Sequence, residues 1–196
     1  LHLSELYRAG SLGAPLDSAS THLGALAYAV PRMPAPLASL RSVLSEFRDR
    51  SGNVRVETWL DLGAGPATTL WAAACERPEL TGATLVEPNR EMAILAKQLL
   101  DGTSVSARVD TNWQAQMDPN VSNGSHDLVV AGYVLTELGA AERALIVENA
   151  WQACRHAVVV ILPGSVSGFQ VLLAVRRQLL ELGATIIAPV SYTHLR

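Results

Sequence analysis

The sequence predicts an α/β protein: a doubly wound, mostly parallel sheet preceded by an N-terminal helical extension. Three observations carry that expectation. Apolar strand-like runs alternate with helix-spaced apolar residues from about residue 50 onward. A glycine turn, Leu60-Asp61-Leu62-Gly63-Ala64-Gly65-Pro66-Ala67-Thr68, stands between a β-branched run and a helix-forming one. An acidic residue, Glu87, ends the next strand pattern, about 20 residues beyond that turn.

Residues 1–52 read as the helical extension, with breaks at Gly10, Gly13 and Pro31. The proline-bearing stretch Tyr28–Ser39 is expected to link two of its helices. Residues 53–189 read as the sheet domain. Its first strand is expected over Val54–Leu60, followed by a helix through Leu70–Cys75. Ala83–Val86 is the second strand, and Met92, Leu95, Ala96, Leu99 and Leu100 mark the helix after it. Val105–Val109 is the expected third strand, ending at Asp110. Asp127–Val134 is the fourth; its unbroken apolar run suits burial on both faces of a parallel sheet. Ala144, Val147, Trp151 and Cys154 mark the next helix, and Ala157–Leu162 the fifth strand, stopped by Pro163-Gly164. A leucine-rich helix with Phe169, Leu172, Leu173, Leu179 and Leu180 ends at a Gly183 cap. Ala184–Ala188 is the expected sixth strand. Repeated βα units imply right-handed crossovers.

The ends look unnatural. The chain starts at Leu1, so it is expected to be a fragment of a longer protein, C-terminally truncated as well. Residues 190–196 are expected to be a non-native tail, because Val190–Leu195 resembles a read-through peptide found at the ends of assembled reading frames.

Composition narrows the classes. The chain has 196 residues, of which 49% are hydrophobic, enough for one domain with a real core and too apolar for disorder. A net charge of -3 announces no nucleic-acid binding. The 2 cysteines, Cys75 and Cys154, both fall in helical patterns and read as buried packing residues. His2, His22, His126, His156 and His194 show no ligand spacing, so no metal is expected. No apolar run is long enough to span a bilayer. Arg41, Arg48, Arg50 and Arg55 form a loose basic stretch, but interspersed Glu46 and Asp49 favour a solvated helix face over an RNA contact.

The glycine turn carries the chemistry. Gly63 and Gly65 lack a Cβ, so backbone can bend sharply and lie against a ligand. A dinucleotide fold wants Gly-x-Gly-x-x-Gly with a pyrophosphate on the helix N-terminus. Here Thr68 stands at the third glycine position, and Asp61 would set a carboxylate near that phosphate. An acid followed by Gly-x-Gly suits a cofactor with a positive centre. The plainer alternative is a tight strand-to-helix turn with no ligand. Glu87, followed by Pro88, is placed to accept hydrogen bonds from two ribose hydroxyls; alone it would read as a surface acid. Asp110 reads equally as an acceptor for an adenine amino group and as part of a polar loop. Gly132 and Tyr133 end the fourth strand, so they converge on the same strand ends. Tyr133 and Glu137 are the candidates to face a substrate, though Glu137 reads better as a carboxylate favouring a helix start.

Spelled this way, the turn resembles motif I of the class I S-adenosylmethionine-dependent methyltransferases, so the fold is expected to be Rossmann-like. Ala67 stands where those enzymes carry glycine, which is expected to narrow the pocket. The chain as a whole resembles the Rsm-type small ribosomal subunit methyltransferase-like family of bacteria and mitochondria. Arg32, Pro34, Ala35 and Ala38 match its Arg-x-Pro-Ala-Thr-Tyr-Ala-Ala stretch; Pro36 and Leu37 depart. His126–Leu138, Pro163-Gly164 through Gly168, and Ile186-Ile187-Ala188-Pro189 are similar as well.

The resemblance implies S-adenosylmethionine as cofactor, held by Asp61, Gly63, Ala64, Gly65, Pro66, Glu87, Pro88, Asp110, Gly132 and Tyr133. It implies the small ribosomal subunit or its rRNA as partner. A cytoplasmic place is implied in bacteria and a mitochondrial one in eukaryotes. Family members carry a cysteine cluster just after the Ala-Pro that ends the sixth strand; Val190 stands there, so no metal is expected in this fragment. Nothing in the sequence supplies a convincing catalytic group. Three readings stay open: a methyltransferase, a non-catalytic assembly factor that keeps the cofactor pocket, and, less favoured, an NAD-dependent oxidoreductase.

Overall fold

The computed structural model describes residues 21–52, 54–118 and 121–188. Five strands form one sheet in the order β3-β2-β1-β4-β5, and every pairing is parallel. They are β1 (Thr58–Leu62), β2 (Gly82–Val86), β3 (Asp110–Gln114), β4 (His126–Gly132) and β5 (Cys154–Ile161). The helices are α1 (His22–Arg32), α2 (Pro34–Ser51), α3 (Thr68–Glu76), α4 (Arg90–Leu100), α5 (Ala140–Ala153) and α6 (Val166–Glu181).

Strand alternation divides the core between two layers. Trp59, Leu85, Leu128 and Val130 point to one face, where Leu40, Leu44 and Phe47 of α2 and Leu70 of α3 cover them. Leu60, Leu62, Val129 and Ala131 point to the other, under Val147 and Ala150 of α5 and Val175 and Leu179 of α6. Burial on both faces explains why β4 is apolar without interruption. Asp127 fastens β4 to the start of β1. Its Oδ2 accepts the Glu57 and Thr58 N–H groups, each at 2.9 Å, and its Oδ1 pairs with Arg155 at 2.7 Å.

Several expected boundaries move. β1 starts at Thr58 rather than Val54, because the ladder to β2 begins there; Val56 is buried before the ladder starts. β3 is Asp110–Gln114, not Val105–Val109. Val105 and Val109 are buried, but as one turn of a coil, with the Val109 N–H donating to the Val105 carbonyl at 2.8 Å. β4 ends at Gly132, since Tyr133 turns the chain with φ 67°. Cys154 opens β5 instead of closing a helix and is half-buried against the core, while Cys75 is exposed rather than a packing residue.

The expected sixth strand does not form. Gly183 (φ 95°) ends α6 as expected, its N–H and that of Ala184 returning to the Leu180 and Leu179 carbonyls at 3.0 and 2.9 Å. Ala184–Ala188 then runs across a groove from β5 and makes no ladder with it. Pro31 also fails to break its helix: it lies inside α1, and only Met33 separates α1 from α2, so Tyr28–Ser39 is mostly helical. Gly10, Gly13 and the tail 190–196 lie outside the described residues.

Candidate functional site

At the carboxyl end of β1 the chain enters the glycine turn. The N–H groups of Gly63 and Ala64 donate to the Val86 carbonyl at 2.9 and 3.0 Å, which ties the turn to the end of β2. Gly63 (φ 75°) and Gly65 (φ 53°) both occupy the left-handed region. A Cβ on Gly63 would lie 2.6 Å from Val134 Cβ, so only glycine lets the segment after β4 pack there. A Cβ on Gly65 would meet nothing within 4 Å, which leaves open space against its backbone.

Ala67 does not narrow the cavity. It is fully buried in the core, and it caps α3 in the left-handed region with φ 61°. A side chain there costs about 1–2 kcal/mol in backbone strain. Ala67→Gly relieves that strain but gives up a fully buried methyl worth about 0.8 kcal/mol and gains unfolded-state freedom, so stability is expected to change by less than about 1 kcal/mol. Chemical denaturation checks it; a loss above about 2 kcal/mol would show that the left-handed backbone carries no strain.

Glu87, immediately after β2, reaches back to the turn. Its Oε2 accepts the Gly65 N–H at 2.7 Å and its Oε1 the Asn89 N–H at 2.7 Å. Burial raises its carboxyl above the ordinary range, opposed by those two N–H donors. Asp61, under the turn, is fully buried. The Thr69 hydroxyl donates to its Oδ2, and its Oδ1 has no partner among the described residues. Burial pushes its carboxyl up to about 7, with the charge of Glu87 adding to the rise.

A cavity of ≈ 380 Å³ opens beside the turn, within the range of small-molecule sites. Gly63, Ala64, Gly65 and Pro66 form one wall, and Gly132, Tyr133 and Glu137 another. The joint between α1 and α2 supplies the roof through Tyr28, Arg32, Met33 and Pro36. Glu137 follows a 3₁₀ turn, Val134–Thr136, and α5 begins only after Gly139, so Glu137 is not a helix-start carboxylate; Glu142 has that position. Glu137 is exposed, but desolvation by the surrounding wall raises its carboxyl, as does Glu87, while Arg32 lowers it. Tyr133 holds a left-handed backbone, with its N–H on the Ile161 carbonyl at 2.7 Å.

Asp61 and Glu87 contact the turn without forming the cavity wall, and Pro88 is exposed beside Glu87. Asp110 is misplaced by the sequence reading. It pairs with Gly82 at the amino end of the sheet, a full strand away from Glu87. Gln114 occupies the position by the site instead; its carbonyl accepts the Glu87 N–H at 2.9 Å. The roof residues Tyr28 and Met33 went unrecognised as site residues: Tyr28 precedes the Arg-x-Pro-Ala stretch, Met33 is its variable position, and nothing local ties that stretch to the cavity. Both thiols lie away from the cavity: Cys75 at the far end of α3, Cys154 at the amino end of β5. The arginines of the basic stretch are paired with acids, as in Arg41–Glu76 at 2.8 Å and Arg50–Glu46 at 2.9 Å, a solvated ionic face. Ser165 caps α6 by accepting the Gly168 N–H at 3.1 Å. Among the described residues no His, Cys, Asp and Glu cluster suits a metal, and no helix is long and apolar enough to cross a membrane.

Comparison with known proteins fits this geometry. The profile of the family described as mitochondrial small ribosomal subunit Rsm22 matches residues 22–194. The human ribosome assembly protein METTL17, mitochondrial, is 27% identical over 160 residues, covering 80% of this chain and 35% of its own length. The chain thus spans about a third of that relative. An S-adenosylmethionine-dependent methyltransferase from Aquifex aeolicus superposes with a TM-score of 0.55 at 15% identity, over 74% of this chain and 78% of the other. One from Leishmania major gives 0.53 at 15% identity, over 84% and 78%. The cyclase SpnF gives 0.52 at 16% identity, over 70% and 56%. The fold is that of the class I methyltransferases, and SpnF illustrates that the fold alone does not fix the reaction.

Proposed function

We propose, because the chain belongs to the Rsm22 family, that it binds S-adenosylmethionine and acts on or assembles the small ribosomal subunit. It would work in mitochondria in a eukaryote and in the cytoplasm of a bacterium. The observation that carries the cofactor reading is the cavity beside Gly65, whose backbone is open to a ligand on one side and held by Glu87 on the other. The name of the METTL17 relative supports the ribosomal part.

The residues present fit the cofactor. Each oxygen of Glu87 already accepts one backbone N–H, and each retains a lone pair, so the carboxylate can also accept two ribose hydroxyls. Gly63–Pro66 would let backbone lie against the ligand, and Asp61 would set negative charge beneath it. The roof of Tyr28, Met33 and Pro36 would exclude water. When bound, the cofactor supplies an electrophilic methyl group on a sulfonium. Tyr133 and Glu137 are the wall residues suited to orient an acceptor.

A second reading, an assembly factor that does not transfer methyl groups, is favoured by one observation. Neither thiol reaches the cavity, so base methylation of the cysteine-nucleophile type has no group to carry it, while direct transfer to an aligned acceptor needs none.

Calorimetry with S-adenosylmethionine tests the cofactor reading. Micromolar binding is expected for the parent, with at least a tenfold loss in Glu87→Ala, and no heat with NAD. A folded parent that binds no S-adenosylmethionine would sink it. Transfer of labelled methyl groups to small subunits from cells lacking the protein separates the readings. Incorporation identifies a methyltransferase, whereas co-sedimentation without incorporation identifies an assembly factor.

A further inference from the structure

We infer that Glu137 makes the cavity discriminate by the charge on the cofactor's sulfur, holding the sulfonium form more tightly than the neutral thioether product. This rests on the cofactor reading above. Three carboxylates gather around the turn and the cavity, those of Asp61, Glu87 and Glu137, and Glu87 repels both of the others. Among the described residues lining the cavity one cation, Arg32, stands against them on the roof, its guanidinium 4.4 Å over the Tyr28 ring. One guanidinium offsets one carboxylate, so ionised acids leave negative charge in excess around a partly desolvated space.

The three acids are not equivalent. Asp61 is engaged by Thr69, and Glu87 caps Gly65 and Asn89, so both help to hold the turn. Glu137 stands on the cavity wall, and its backbone N–H, not its carboxylate, ties the 3₁₀ turn through the Val134 carbonyl at 2.9 Å. Its charge is therefore available to a ligand without loss of the fold. S-adenosylmethionine and S-adenosylhomocysteine differ by one methyl group and one positive charge. A unit charge a few ångströms from a carboxylate on an exposed cavity wall is worth about tenfold in affinity. Sinefungin carries an ammonium in place of the sulfonium, so it separates charge from sulfur chemistry.

Calorimetry on the full chain with S-adenosylmethionine, sinefungin and S-adenosylhomocysteine tests the inference. The parent is expected to bind both cationic ligands about tenfold more tightly than the neutral one. Glu137→Gln keeps the shape and is expected to bring that ratio below about threefold. Glu142→Gln, an exposed neutralisation on α5, should leave the ratio as in the parent. Equal affinities in the parent overturn the inference and leave the cofactor reading standing. A ratio unchanged in Glu137→Gln, or reduced equally by Glu142→Gln, overturns the assignment to Glu137. No binding by any of the three ligands overturns the cofactor reading itself, and this inference with it.

Discussion

Replacing Gly63 by alanine is expected to lower stability by about 2–5 kcal/mol and to abolish cofactor binding. Two costs add. The backbone at φ 75° disfavours any Cβ by about 1–2 kcal/mol. The new methyl would also lie 2.6 Å from both Cβ and Cγ2 of Val134. Val134 cannot back away easily: it starts the 3₁₀ turn whose next residue, Leu135, is fully buried. Overpacking of that kind costs about 1–3 kcal/mol. The total is a large share of a typical domain's stability of about 5–15 kcal/mol. In a chain of this size it corresponds to a fall of about 10 °C in melting temperature. The contact makes a sharper test. Val134→Ala retains the offending Cβ and should not rescue Gly63→Ala, whereas Val134→Gly should return the steric part. A melting temperature within about 2 °C of the parent would show that the turn does not press on Val134.

Asp61→Asn is expected to stabilise the ligand-free protein at pH 8 by about 2 kcal/mol while weakening S-adenosylmethionine binding about tenfold. Burial raises the Asp61 carboxyl from 3.8 to about 7 in the folded chain. The folded state thus holds a proton that the unfolded state has lost over that interval. Stability from this group is complete below about pH 4 and declines as pH rises, until it is lost above about pH 7. Asparagine is neutral throughout, so this decline should disappear. The gain stays below the full linkage value, because the new amide leaves a buried donor without a partner where Oδ1 now stands. Binding weakens because the charge beneath the turn is gone. Urea denaturation at pH 5 and pH 8 reads the first effect and calorimetry the second. A variant less stable than the parent at pH 8 would mean that Asp61 is well solvated when ionised.

How far the sequence could be read depended on where each segment's burial comes from. β2, β4 and β5 were legible because strands covered on both faces must be apolar along their length. β3 was not, because it lies at the edge of the sheet and reads Asp-Thr-Asn-Trp-Gln, with Asp110, Thr111 and Asn112 all exposed. The valines at 105 and 109 supplied a false strand signal, since a coil turn buries them equally well. That error set Asp110 at a strand's carboxyl end and so in the site, whereas it opens β3 at the amino end of the sheet. Ala184–Ala188 has strand-forming composition, but composition does not create a hydrogen-bonding partner.

The βα order, the glycine turn and the acid after β2 are legible from the residues alone, because each is encoded within a few neighbouring positions. The left-handed backbone at Gly63 and Gly65 favours glycine, and the reach of Glu87 to Gly65 needs only two adjacent parallel strands. Tertiary structure alone decided the register of β3, the unpaired state of 184–188 and the roof of the cavity. Tyr28 and Arg32 come from α1, Tyr133 and Glu137 from the segment after β4, and no local pattern links them. The packing of α1 on α4 through Ala25, Ala29, Met92 and Leu95 places that roof over the strand ends. Such burial acts between residues far apart in the chain, so no sequence window contains it.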